Sequence, residues 1–384
     1  MNNFICFCPT KVLFGKGQIA SLPEVLPKNK KILMIYGGGS IKRNGVYEQT
    51  VKALKGFDFL EFGGIEPNPA YETAMKAVEM IKKEKIEFLL PVGGGSTLDA
   101  TKFIAAAALY EGEDPYDMTK GAPVKAALPF GDIITLPATG SEMNCGAVIS
   151  RKSTREKLVI NSPLLFPVFS IIDPQVTYSL PERQTINGAV DTFVHTMEQY
   201  CTYDVNTPLQ DEWAFGILKT LISETPKVLK NPKDYEARAN MFWAATCGLN
   251  SWINMGCVQD WATHMIGHET TAFYGLDHAR TLATIMPRLL KNRKADKLHK
   301  LAKLSREVFG FSGKDDSAAA DYAIDHIELF FNSIGMKTHF SDYGIDAEEC
   351  AGKIRDRFAS RGTVLGEKGN ITPETVYEIL KSCK

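Results

Sequence analysis

Three times in its first half this chain runs a short apolar segment toward a turn of glycines and small hydroxyl residues, and that recurrence constrains the fold more than any other feature. Lys31–Tyr36 (KILMIY) ends in Gly37-Gly38-Gly39-Ser40, and Phe88–Val92 ends in Gly93-Gly94-Gly95-Ser96-Thr97. Ile133–Leu136 is followed by Thr139-Gly140-Ser141. Apolar runs of this length, bounded by glycine, have the pattern of strands buried on both faces. Phe57–Phe62, ended by Gly63-Gly64, and Phe169–Ile172 add two more. Between them, Ala70–Glu84 carries Met75, Val78 and Ile81 at helical spacing, and Asp99–Tyr110 is rich in alanine. Strand and helix in alternation predict an α/β fold with a mostly parallel sheet.

The character changes after Asp173-Pro174. Leu180-Pro181 marks a joint, because proline disfavours helix in the residue before it. Beyond it β-branched runs are scarce, and helical periodicity covers Pro181–Tyr203, Pro208–Glu224, Tyr235–Asn254, Ala262–Tyr274, Lys297–Phe309, Ala318–Ile334 and Pro373–Ser382. The expected organisation is an α/β domain over 1–180 and an all-α domain over 181–384. A net charge of -1 gives no global basic field for nucleic acid or anionic lipid. The local run Lys291, Arg293, Lys294, Lys297 and Lys300 reads as a solvated helix face. No apolar stretch is long enough to span a bilayer. Met1–Pro9 lacks the charged region and cleavage site of a signal peptide. The eight cysteines form no C-x-x-C pair and fit a reducing cytoplasm. The apolar run Phe4-Ile5-Cys6-Phe7 is a candidate edge strand, pairing either across two subunits of a homodimer or within its own subunit.

The glycine turns point to a phosphate-bearing ligand. Glycines between strand and helix let backbone N–H groups approach phosphate oxygens, and the helix dipole favours the negative charge. The second turn is the best such site: Ser96 and Thr97 can cap the following helix, and Asp99 lies one turn inside it, within reach of a nicotinamide carboxamide or ribose hydroxyl. None of the turns matches G-x-G-x-x-G, and any one alone would be read as a plain connection. The first turn has no acidic residue to accept hydrogen bonds from a ribose 2′-OH, and Lys42 and Arg43 follow it. This favours NADP(H) over NAD(H), although both cations could simply be solvated.

The second half offers metal chemistry. Asp191 and His195 are four apart within one expected helix, as are His264 and His268 in another, so each pair shares a helix face. His278 follows a break at Gly275. Four of the seven histidines therefore fall between Asp191 and His278. A carboxylate with imidazoles suits one divalent transition metal such as Fe, Zn or Co. A single i, i+4 pair would ordinarily be a surface or capping pair; their concentration shifts the reading. Glu269 follows the second histidine rather than the first, so this is not the H-E-x-x-H of metalloproteases.

In order along the chain, GGG-Ser96-Thr97-Leu98-Asp99, Thr139-Gly140-Ser141-Glu142, Asp191-x-x-x-His195, His264-x-x-x-His268 and His278 closely resemble the iron-containing alcohol dehydrogenase family. The likeness runs from Pro9-Thr10-Lys11-Val12-Leu13-Phe14-Gly15 to the last expected helices. Gly37-Gly38-Gly39-Ser40, Glu66-Pro67-Asn68-Pro69 and Gln259-Asp260-Trp261-Ala262-Thr263-His264 look like its butanol dehydrogenase and NADPH-dependent aldehyde reductase branch. The resemblance implies that Asp191, His195, His264 and His278 ligate the metal, and that His268 lies beside the nicotinamide without ligating. It implies cofactor contacts from Gly37, Gly38, Gly39, Ser40, Asn68, Gly94, Gly95, Ser96, Asp99, Thr135, Thr139, Asn144, Lys157 and Tyr178. Ala279 stands after His278 where many members have glycine, a change the closer branch tolerates.

The activity implied is hydride transfer between NAD(P)(H) and short-chain alcohols or aldehydes such as butanol and butanal. Trp252, Trp261, Phe273, Met143 and Val148, near the motifs in sequence, are candidates for an apolar pocket or for plain core. Glycerol dehydrogenase-like polyol oxidation is the alternative on this architecture. A non-catalytic binding protein is disfavoured, because it would have no chemical need for four intact ligand positions. Dehydroquinate synthase would require several basic residues around a phosphorylated acid, of which the metal region offers few.

Overall fold

A computed structural model describes all 384 residues and divides into two compact units. The first along the chain comprises Phe7–Pro181 with Asn231–Thr246, and the second comprises Met1–Cys6, Glu182–Lys230 and Cys247–Lys384.

The α/β unit contains β1 (Lys11–Phe14), α1 (Leu22–Val25), β2 (Ile32–Gly37), α2 (Val46–Ala53), β3 (Phe59–Ile65), α3 (Tyr71–Glu84), β4 (Phe88–Gly93), α4 (Gly95–Ala107), β5 (Asp132–Ile134), the strands β6 (Gly146–Arg151) and β7 (Glu156–Asn161), and β8 (Phe169–Ile172). Six strands form one parallel sheet in the order β1-β8-β5-β4-β2-β3, while β6 and β7 form an antiparallel hairpin of their own. Alternation along β2 shows why the sheet is covered on both faces. Leu33 and Ile35 pack with Ala74, Ala77 and Val78 of α3 and with Phe103 and Ile104 of α4. Ile32 and Met34 pack on the opposite side with Leu22, Val46 and Leu54.

The strand order determines where a ligand fits. From β2 the chain passes to β3 on one side and then crosses to β4 on the other. β2 and β4 end level, with Tyr36 opposite Val92. Their carboxyl ends carry Gly37–Ser40 and Gly94–Thr97, at the topological switch point where open α/β sheets bind ligands.

The other unit is helical: α5 (Glu182–Tyr200), α6 (Pro208–Lys230), then, after α7 (Tyr235–Gly248), α8 (Ala262–Tyr274), α9 (His278–Asn292), α10 (Lys294–Phe309), α11 (Asp316–Ser333), α12 (Ala347–Arg361) and α13 (Pro373–Lys381). α5 is buried on almost every face, from Thr185 to Tyr200, the mark of a central core helix. Ile266 of α8, Ile285 and Leu289 of α9, Ile354 and Phe358 of α12, and Ile379 of α13 form one cluster. No helix is long and apolar enough to cross a membrane.

Several expectations need correction. Most of α7 joins the α/β unit. The helix ends at Gly248 rather than Asn254, where a Cβ would meet Thr192 Cγ2 of α5 at 2.8 Å. The basic run is not wholly solvated, because Lys297 and Lys300 are only 2% and 4% exposed. Lys297 Nζ donates to Asp260 at 2.7 Å and to Glu367 at 3.1 Å, while Lys300 Nζ pairs with Asp211 at 2.5 Å. Burial there is tolerated because each cation has its counter-charge. Phe4–Phe7 forms no strand within the chain and leaves Ile5 94% exposed.

Candidate metal and cofactor site

α5 carries Asp191 and His195 one turn apart, α8 carries His264 and His268 likewise, and His278 opens α9 just beyond the left-handed Gly275. The Nε2 atoms of His195, His264 and His278 each lie 3.7 Å from Asp191 Oδ1. The ligand atoms of Asp191, His195 and His264 fall within 4.8 Å of one another. A spacing of 3.7 Å is long for a hydrogen bond. It is close to the roughly 3.4 Å separating two ligands that each stand about 2.1 Å from a shared tetrahedral metal. Asp191, His195 and His264 are buried, while the His278 side chain is 24% exposed.

His264 supplies a direct test of whether these residues suit a cation. Its Nε2 is buried without a hydrogen-bond partner, although its Nδ1 is bonded to Glu198 Oε2. Burial disfavours a charged ring, yet the carboxylates of Glu198 and Asp191 outweigh it and hold the His264 imidazole up at about 9. The surroundings favour positive charge at this point, as a divalent ion site requires. Asp191, His195 and His264 therefore fit such an ion in chemistry and in spacing, and His278 Nε2 approaches the same Asp191 oxygen from α9.

His268 lies beside these residues, one turn along α8 from His264. Its ring centroid lies 6.3 Å from that of His264 and 5.1 Å from that of His278. Glu269 is clamped by Arg357 Nη1 and Arg361 Nη1, both at 2.6 Å. It ties α8 to α12 and is not available as a general base. The loop before His278 is fixed through Asp277, which accepts from Arg183 Nε at 2.7 Å and from Asn187 Nδ2 at 3.2 Å. Of the candidate pocket aromatics, Trp261 packs its ring edge-on against His264 at 5.3 Å and His195 at 6.1 Å. Phe273 instead joins the helical core beneath Arg357, and Trp252 lies beside Trp213.

Glu198 was not among the sequence candidates. The signal was present, because Asp191, His195 and Glu198 stand at i, i+4 and i+7 along one face of α5.

In the α/β unit, Gly37–Ser40 and Gly94–Thr97 stand where the switch point places them. A Cβ at Gly93 would come within 2.4 Å of Thr97 Oγ1, and one at Gly95 within 2.4 Å of Thr139 Oγ1. Gly93 thus leaves room for Thr97 within its own turn, and Gly95 lets the second turn pack against the third. At Gly38 and Gly39 nothing lies within 4 Å of a built Cβ, which leaves open space beside the backbone.

Asp99 joins the second and third turns: Oδ1 accepts from Ser141 Oγ at 2.8 Å, and Oδ2 from the Val148 amide at 3.0 Å. Asn144 is turned inward. Its Nδ2 donates to the carbonyls of Gly140 and Thr139, and its Oδ1 accepts from Lys102 Nζ at 2.8 Å. Lys157 Nζ donates to Asn68 Oδ1 at 2.9 Å, bringing together two candidate cofactor residues. The Thr135 amide donates to the Gly93 carbonyl at 2.9 Å, and Tyr178 lies in a short 3-10 helix over Pro174–Ser179. Lys42 Nζ stands over the rings of Tyr36 and Tyr47, 3.9 Å from Glu61.

A parallel sheet with glycine turns at its switch point and a helical unit with a buried Asp/His centre describe an oxidoreductase of dehydrogenase type. The family model for iron-containing alcohol dehydrogenase matches residues 9–174, and that for the Fe-containing alcohol dehydrogenase family, C-terminal, matches 185–383. The chain belongs to the iron-containing alcohol dehydrogenase family. It is 50% identical over 387 residues, covering 100% of both chains, to the NADPH-dependent aldehyde reductase YqhD of Escherichia coli. It is 41% identical, over 100% of both chains, to a probable NADH-dependent butanol dehydrogenase of Bacillus subtilis. The NADH-dependent butanol dehydrogenase A of Thermotoga maritima superposes with a TM-score of 0.94 at 38% identity, over 100% of this chain and 99% of that one.

Proposed function

We propose that the protein interconverts short-chain aliphatic aldehydes and primary alcohols, with NADP(H) favoured over NAD(H) and one divalent metal held by Asp191, His195, His264 and His278. The observation that carries the reading is the convergence of three imidazole Nε2 atoms at 3.7 Å on one carboxylate oxygen. The name of the Escherichia coli relative supports NADPH and aldehyde reduction. The names of the butanol dehydrogenases support a short alkyl substrate but specify NADH.

When bound, the ion supplies a Lewis acid for the substrate oxygen, and the nicotinamide supplies or accepts the hydride. The protein's own contribution is charge and placement. Asp191 provides the direct negative charge, and the three histidines act as neutral donors. The buried rings of His195 and His264, with Trp261 against them, keep water from that side. His268 is assigned beside the nicotinamide rather than to the metal, and the proton leaves either through it or through ribose hydroxyls and water. Gly37–Ser40, Gly94–Thr97 and Thr139–Ser141 hold the dinucleotide, with Asp99 fixing the last two turns to each other.

The division into a cofactor part, 1–180, and a metal part, 181–384, is supported by the limits of the two family matches. The eight scattered cysteines, with no C-x-x-C pair, support a cytoplasmic location. The exposed Phe4, Ile5 and Phe7 support a homodimer.

The test is a set of specificity constants. With butanal, NADPH should exceed NADH, and butanol should exceed glycerol in the reverse direction. A tenfold preference for NADH would overturn the cofactor assignment, and a preference for glycerol would favour the polyol reading.

A further inference from the structure

Glu198 is placed to act on the metal centre without touching the metal. It lies on α5 two turns beyond Asp191, and its side chain is 4% exposed. Its two carboxylate oxygens do different work on one element. Oε1 accepts from the Thr263 amide at 2.6 Å, capping the first turn of α8, where a negative charge also meets the helix dipole. Oε2 is bonded to His264 Nδ1, so Nδ1 carries the ring proton and Nε2 faces Asp191. The backbone completes the clamp, because the Asp260 amide donates to the Glu198 carbonyl at 3.0 Å.

We infer that Glu198 is a positioning residue for the metal centre: it fixes the tautomer and rotation of His264 and completes the charge balance of the bound ion. The electrostatics are simple. Asp191 and Glu198 contribute two negative charges and the histidines none, so a divalent ion leaves the buried centre neutral. Without Glu198 the loaded centre would carry a net positive charge away from water, which is costly. The ring of His264 would also lose the acceptor that fixes its ligating nitrogen.

The inference rests on His264 being a ligand, and the test separates the two. Glu198→Gln keeps the size of the side chain and removes its charge. Zn2+ affinity, measured by competition with a chelating indicator, should fall about 10–100-fold. The circular dichroism of the variant should match the wild type. In a His264→Ala background, whose weakened Zn2+ binding is read at higher Zn2+ concentration, the same substitution should cost less, because only the charge contribution of Glu198 remains. Unchanged affinity in Glu198→Gln, or an equal loss in both backgrounds, would overturn the inference. If His264→Ala itself binds Zn2+ like the wild type, the ligand assignment fails instead. The unsubstituted protein provides a second readout should the Gln variant not fold. Nitrogen-15 spectra of histidine-labelled, Zn2+-loaded protein should show His264 protonated at Nδ1 and coordinated through Nε2, and the opposite tautomer would overturn the assignment.

Discussion

Two buried lysines show how differently single residues can pay their way out of water in this protein. Lys297 donates to Asp260, Glu367 and the Cys201 carbonyl; burial lowers its pKa, but the charges of Asp260 and Glu367 raise it overall. Replacing it with methionine leaves two carboxylates without their cation. The expected loss is about 3–5 kcal/mol of stability, read from denaturant unfolding. Lys102 is the reverse case. Burial pulls it down to about 8, and Asp99 only partly compensates. Its folded-state value lies below the ordinary 10.5, so between about pH 8 and 10.5 the unfolded chain binds more protons than the folded one. The lysine's contribution to stability therefore rises with pH through that window and is flat below it. Relative to Lys102→Met, the wild type should gain stability between pH 8 and 10.5, by up to about 3 kcal/mol. A difference that stays constant, or falls, over that range would show that the lysine is not neutralised by burial. The burial of Lys297 was illegible in the sequence, because Asp260 and Glu367 lie far from it along the chain. A basic run by itself looks solvated.

The legible elements were those whose local pattern and tertiary role agree. Strands β2 and β4 are apolar on both faces because helices cover both faces, so a continuous apolar run was a sufficient signal. The β6–β7 hairpin was missed. Its connection, Lys152–Arg155, has no glycine, asparagine or proline, and Arg155 itself takes the left-handed conformation at φ 52°. Helix α12 was missed because its apolar residues are few: Cys350, Ala351, Ile354 and Phe358 form a narrow stripe in a charged sequence. Helix α9 contains Pro287 and carries the edge of the basic run, both of which obscure a strong apolar face.

The glycine turns allow a prediction that separates packing from ligand contact. Gly95→Ala forces Thr139 aside and should destabilise the apoprotein by about 1–3 kcal/mol. Gly38→Ala meets nothing in the protein, so apoprotein stability should hold to within about 0.5 kcal/mol. If the turn receives the cofactor, that same methyl should weaken NADPH binding, measured by fluorescence titration. Unchanged binding in Gly38→Ala would remove the first turn from the cofactor site.

Across the whole molecule, the residues that converge at the candidate metal site come from distant parts of the chain, and sequence could show only their types. Spacing within α5 and α8 put each pair on one face, but nothing local could bring His278 to Asp191. That required Asp277 to be held by Arg183 and Asn187. The family likeness, rather than spacing, named His278 in advance. Spacing alone put Glu198 on the face of Asp191 and His195, but a glutamate in a helix is ordinarily solvated, and only the structure shows it buried against His264.

The most direct measurement is elemental analysis of purified wild type, His264→Ala, His278→Ala and His268→Ala, each checked for folding by circular dichroism. The wild type should carry one divalent transition metal per chain. His264→Ala and His278→Ala should lose the metal and with it nearly all turnover, while His268→Ala should keep the metal and turn over more slowly. Stoichiometric metal in His264→Ala or His278→Ala, or its loss in His268→Ala, would contradict the four-residue centre.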